Sequence, residues 1–127
     1  MSDLSNQTTA FMGTFNEGDH ARMMSLLAPD AVYIDPNGTR HEGASAIGES
    51  LKSIFDGTLG DVHYDVSSTI LDEANGRALV TWTMVMTAAD GSASAVDGLD
   101  ILHFRDGWLA SKNAFCKAES LAIRAHG

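Results

Sequence analysis

The run RALVTWTMVMT, residues 77–87, decides what kind of fold this chain adopts. β-Branched and aromatic residues dominate it, and no glycine, proline or acidic residue interrupts it, so it reads as most of a long strand over 77–88. Alternation sorts it into two faces, with Leu79, Thr81, Thr83, Val85 and Thr87 on one and Ala78, Val80, Trp82, Met84 and Met86 on the other. Neither face is charged, and a sheet that is apolar on both sides has to be covered twice. Helices can cover one side, and something else must cover the other.

Working outward, residues 62–71, 93–104 and 108–117 are similar β-rich runs. Short turn sequences with a late glycine separate them: Glu73-Ala74-Asn75-Gly76, Ala89-Asp90-Gly91-Ser92 and Arg105-Asp106-Gly107. Long strands joined this way form an antiparallel meander. The first half of the chain has helical periodicity instead. Leu4, Phe11, Met12 and Phe15 mark a helix over 3–16, closed by Asn16-Glu17-Gly18. Asp19 is placed to cap a second, short helix carrying Met23, Met24, Leu26 and Leu27 and ending at Ala28-Pro29. A short strand, Ala31-Val32-Tyr33-Ile34, then runs into the turn Asp35-Pro36-Asn37-Gly38. A third helix follows over 44–55, with Ala44, Ile47, Leu51, Ile54 and Phe55 at helical spacing. Helices followed by a meander predict an α+β architecture, and 127 residues suit one domain over 1–127.

Eight Lys and Arg against 17 Asp and Glu give a net charge of −9, which argues against a nucleic acid or an anionic membrane as partner. No basic leader and no apolar run of membrane-spanning length is present, so a cytoplasmic location is expected. The one cysteine, Cys116, suits a reducing compartment, and the five histidines lack ligand spacing, so no metal site is expected. No nucleotide-binding glycine motif occurs, and the expectation is a protein without cofactor. If the helices cover the other face, Trp82, Met84 and Met86 form an apolar patch that predicts a homodimer.

Two carboxylates stand out as candidates for chemistry. Asp35 opens a favourable Asp-Pro-Asn-Gly turn, so turn formation alone can account for it. Asp100 is harder to explain locally. It sits mid-strand on the same face as Val96, Gly98, Leu102 and Phe104, where Asp is disfavoured. If that face is interior, Asp100 is a buried acid of the kind that burial keeps neutral, able to donate a hydrogen bond to a carbonyl oxygen. Lys112, between Ala110 and Ala114 on its strand face, lies on the cavity side if those alanines do, and in solvent otherwise.

The stretches Phe15-Asn16-Glu17-Gly18-Asp19, Leu27-Ala28-Pro29-Asp30-Ala31-Val32-Tyr33-Ile34-Asp35-Pro36 and His41-Glu42-Gly43-Ala44-Ser45-Ala46-Ile47 resemble the NTF2-like superfamily, in its ketosteroid isomerase and SnoaL-like branch. The later run from Leu99 to Leu109 continues the match. The resemblance implies a cone in which a curved, mixed but mostly antiparallel sheet wraps three helices around a deep apolar pocket for a small hydrophobic ligand. It also implies that Asp35 is a general base and Asp100 a protonated hydrogen-bond donor to an oxyanion, a known pattern of paired carboxylates. The tyrosine that such isomerases carry on the first helix falls at Phe11, which has no hydroxyl. Phe11, Phe15, Tyr33, Leu51, Phe55 and Leu102 are expected to set the pocket's size, with Thr83, Val85, Ala114 and Lys112 on its wall. Two functions follow as expectations: an isomerase or cyclase that removes a proton next to a carbonyl, or a non-catalytic binding or association module on the same cone.

Overall fold

The computed structural model describes residues 3–118 and 124–125. The single domain expected over 1–127 therefore extends at both ends beyond the described residues. Three helices and six strands follow one another: α1 (Asp3–Glu17), α2 (His20–Ser25), β1 (Leu27–Ile34), β2 (Arg40–Glu42), α3 (Ala44–Phe55), β3 (Asp61–Asp72), β4 (Arg77–Thr87), β5 (Ala93–Arg105) and β6 (Trp108–Cys116). The strands form one sheet in the order β2-β1-β6-β5-β4-β3. Among the described residues only β1 and β6 run parallel; every other neighbouring pair is antiparallel. None of the described helices is long and apolar enough to cross a membrane.

The third helix spans the residues its periodicity predicts, because five apolar positions there share one stripe. The second stops earlier than expected. Asp19 does cap it, accepting the Arg22 N–H at 3.0 Å, but the helix ends at Ser25 and β1 starts at Leu27, two residues ahead of Pro29. Pro29 thus lies inside a strand instead of ending a helix. It is tolerated because β2 pairs only with Val32–Ile34, leaving the start of β1 unpaired on that side, and the β1–β6 register shifts between Leu27 and Val32. β2 itself was not foreseen, since three residues are too few to show an alternation.

Which side of the sheet the helices cover is settled by register. Cross-strand partners share a face, and β4 pairs with β5 as Val80 with Asp100, Trp82 with Gly98 and Met84 with Val96. Trp82 and Met84 therefore lie on the Asp100 side, which is the inside, and Trp82 is only 4% exposed. Thr83 and Val85, paired with Asp97 and Ala95, face outward, and the Thr83 hydroxyl donates to Asp97 Oδ1 at 2.6 Å. The expectation that Thr83 and Val85 line the pocket while Trp82, Met84 and Met86 form a dimer face is thus inverted. Alternation defines two faces but cannot name the inner one when both are apolar. Gly98 makes room for the tryptophan: a Cβ there would sit 2.5 Å from Trp82 Cη2 and press on the Phe115 carbonyl oxygen.

Candidate functional site

Between α3 and the concave side of the sheet lies a cavity of about 320 Å³. Asp35, Asp100, Tyr33, Leu51, Lys112 and Ala114 line it, each expected at the site from sequence. Phe11, Phe15 and Leu102 lie in the hydrophobic core, at 0%, 2% and 0% exposure, and are not on the wall. Phe55 packs against that core with its ring 5.1 Å from Phe15. Among the wall residues that were not expected are Tyr64 from β3, and Trp82 and Met84 from β4.

Asp35 sits at the end of β1, and its turn holds it tightly. Its Oδ1 accepts the backbone N–H of Asn37 at 2.9 Å and of Thr39 at 3.0 Å, while Oδ2 lies 3.0 Å from His41 Nε2. Burial pushes this carboxyl upward, but the hydrogen bonds from His41, Thr39 and Asn37 together outweigh it and hold the group below the usual carboxylate range. Asp35 thus starts the turn and also lines the cavity. His41 owes its position to β2, whose antiparallel pairing sets it beside Tyr33 with the rings 5.4 Å apart and 22° from parallel. A signal for it did exist in the sequence: a tight turn starting at Asp35 folds the chain back, so a residue six positions on comes to lie alongside.

The sign of the pH effect follows from the lowered value. A carboxyl depressed in the folded state adds stability above its unfolded value of about 3.9, and that stability is lost as pH falls through the folded value. We expect His41→Ala to raise the Asp35 value toward the ordinary one, shrinking this contribution at neutral pH. Carbon-detected NMR titration of the Asp35 carboxyl reads the shift, and an unmoved midpoint would show that the turn amides alone hold the group down.

Asp100 and Lys112 meet at the bottom of the cavity. They come from β5 and β6, where Asp100 pairs with Ala114 and Leu102 with Lys112, so both side chains share the inner face. Asp100 is 0% exposed and Lys112 4%, which removes the alternative of a solvent-exposed lysine. Lys112 Nζ lies 3.5 Å from Asp100 Oδ2, and 4.6 Å, 5.5 Å and 5.7 Å from the ring centres of Phe15, Tyr33 and Phe11. Three aromatic rings thus lie within cation–π range of the Lys112 amine. The resemblance implies a neutral acid at Asp100; the structure sets the Lys112 amine 3.5 Å from its Oδ2. Burial, reinforced by the negative charge of Asp100, pushes the hydroxyls of Tyr33 and Tyr64 well above the ordinary tyrosine range, so both remain protonated donors. Burial also raises the Cys116 thiol on the same wall, which leaves it a poor nucleophile. No cluster of three or more His, Cys, Asp or Glu among the described residues is arranged to hold a metal ion.

A cone of this kind, with helices inside a curved sheet and a polar-floored cavity between, is the NTF2-like architecture, and solved structures match it over most of their length. An NTF2-like protein of unknown function from Burkholderia pseudomallei K96243 is 17% identical, covers 92% of each chain and has a TM-score of 0.79. SalBIII, described as an epoxide hydrolase/cyclase-like enzyme in pyran ring formation in the polyether salinomycin, is 18% identical over 90% of each chain, also with a TM-score of 0.79. A protein from Xanthomonas campestris pv. campestris, provisionally assigned as a polyketide cyclase, is 18% identical over 89% of each chain, with a TM-score of 0.72. At this level of identity the likeness concerns the fold alone. The chain belongs to the SnoaL-like domain family, whose model matches residues 8–111. No curated protein matches it.

Proposed function

We propose that this protein catalyses proton transfer next to a carbonyl group on a small, mostly apolar substrate, without a cofactor, as an isomerase or cyclase. One observation carries the reading: Asp35, a carboxylate held below the usual range, and the buried Lys112 ammonium line the same cavity. Asp35 takes the α-proton, and the C–H electron pair becomes the C=C bond of an enolate. The negative charge gathers on the former carbonyl oxygen, where the Lys112 ammonium and the Tyr33 hydroxyl stabilise it. The hydroxyl missing at Phe11 is thereby replaced from other elements. Where a C=C is conjugated with the enolate, Asp35 returns the proton to the far carbon of the dienolate, giving an isomer; otherwise the enolate carbon attacks a second carbonyl of the same molecule, closing a ring, and the alkoxide so formed takes the proton back from Asp35.

The non-catalytic reading has one observation in its favour, because the three hydrogen bonds that hold Asp35 down also weaken it as a base. Incubating wild-type protein with 1-tetralone in D2O separates the two. Loss of the α-proton signal faster than in buffer supports the enzyme, and a bound ketone that exchanges no faster than free ketone supports the binding module. We also infer a homodimer, formed through the outer sheet face, where Leu99 and Ile101 are half-buried and Phe115 is 48% exposed. Basic Arg77 and His103 at one end of β4 and β5 and acidic Asp97 toward the other complement one another across a two-fold axis. Sedimentation at tens of micromolar returns a dimer if this holds and a monomer if it does not.

A further inference from the structure

The floor of the cavity carries polar side chains with atoms that find no partner among the described residues. Asp100 Oδ1 and Oδ2 and Trp82 Nε1 are buried and make no hydrogen bond among the described residues. The 3.5 Å approach of Lys112 gives Asp100 a counter-charge but not a hydrogen bond. Buried polar groups are almost always satisfied, and the exceptions concentrate where function needs them. These exceptions are adjacent: Trp82 and Asp100 sit two positions apart on the inner face of neighbouring strands, and both line the cavity. Their chemistry differs in sign. The carboxylate can only accept a hydrogen bond, and the indole N–H can only donate one.

We propose that the cavity takes a hydroxyl-bearing carbonyl compound, whose hydroxyl donates to Asp100 while an oxygen of the same ligand accepts from Trp82 Nε1. An apolar ketone without the hydroxyl would bury both Asp100 oxygens against hydrocarbon, and an ether in that position would bring an acceptor against an acceptor. The site therefore selects for a donor near the carbonyl, and Asp100 acts as a specificity determinant and not as an acid. This rests on the functional reading above only in taking the carbonyl as the reacting group.

The test is equilibrium binding, measured by isothermal titration calorimetry at pH 6, where a phenol is neutral. The probes are 1-tetralone, its 5-, 6- and 7-hydroxy derivatives and the matching methoxy ethers. At least one hydroxy isomer should bind about tenfold or more tighter than both its ether and the parent ketone, the size expected of a hydrogen bond to a charged group. Asp100→Asn should reduce that preference several-fold while keeping the fold. Trp82→Phe, which tests the second contact if Asp100→Asn does not fold, should weaken every ketone in the panel. Equal binding of every hydroxy and methoxy pair overturns the proposal, as does a preference undiminished in Asp100→Asn, or ketone binding unaffected by Trp82→Phe. Asp35→Asn should retain the hydroxyl preference. Lost exchange with retained preference would then count for both readings, whereas absent exchange in wild type with the preference intact would remove only the enzyme.

Discussion

Asp35→Asn is expected to reduce α-proton exchange of a bound ketone by a factor on the order of 10² to 10⁴, the usual contribution of a positioned general base. An amide is nearly isosteric with the carboxylate but cannot take the proton. The turn should survive, because the amide oxygen can still accept the N–H groups of Asn37 and Thr39. Ligand affinity should change little, and that separates a lost base from a lost pocket. A rate within a few-fold of wild type, with binding intact, would mean that another group takes the proton.

The largest effect on stability is expected at Lys112. Its ammonium and the Asp100 carboxylate are almost entirely buried, so Lys112→Met leaves a carboxylate with no counter-charge in an apolar surrounding. Breaking a buried pair from one side costs about 3–5 kcal/mol, whereas replacing both partners with apolar groups is often neutral. Urea denaturation should therefore show a large loss in Lys112→Met, most of it recovered in the double variant Lys112→Met, Asp100→Leu. A single variant as stable as wild type would show that the pair is not charged in the folded protein.

Much of this architecture was legible from periodicity, and the parts that were not share a cause. The third helix and the bounds of the long strands follow from apolar stripes and from glycine-bearing turns. β1 was misplaced because Leu26 and Leu27 extend the helical spacing of Met23 and Met24, although Pro29 biases Ala28 toward extended backbone. The inner face of β4 was misassigned because Trp82 and Thr83 neighbour each other on two faces equally free of charge, and only pairing with Asp100 tells them apart. Asp35 and Asp100 were legible as residues. What surrounds them was not, since the groups around Lys112 come from α1, β1 and β5 and no local pattern records it.

The central claim is that Asp35, not its neighbour His41, is the base. The pH dependence of kcat/KM for ketone exchange tests it most directly, because that parameter reports ionisations of the free protein. Hydrogen bonds hold Asp35 below the usual carboxylate range, so the rate should be flat from pH 8 down to about 4 and fall only below that. His41→Ala should move this acid limb upward without abolishing it. A wild-type rate that instead falls through about 6.5, the ordinary imidazole value, and a limb that vanishes in His41→Ala, would assign the base to His41 and contradict the account.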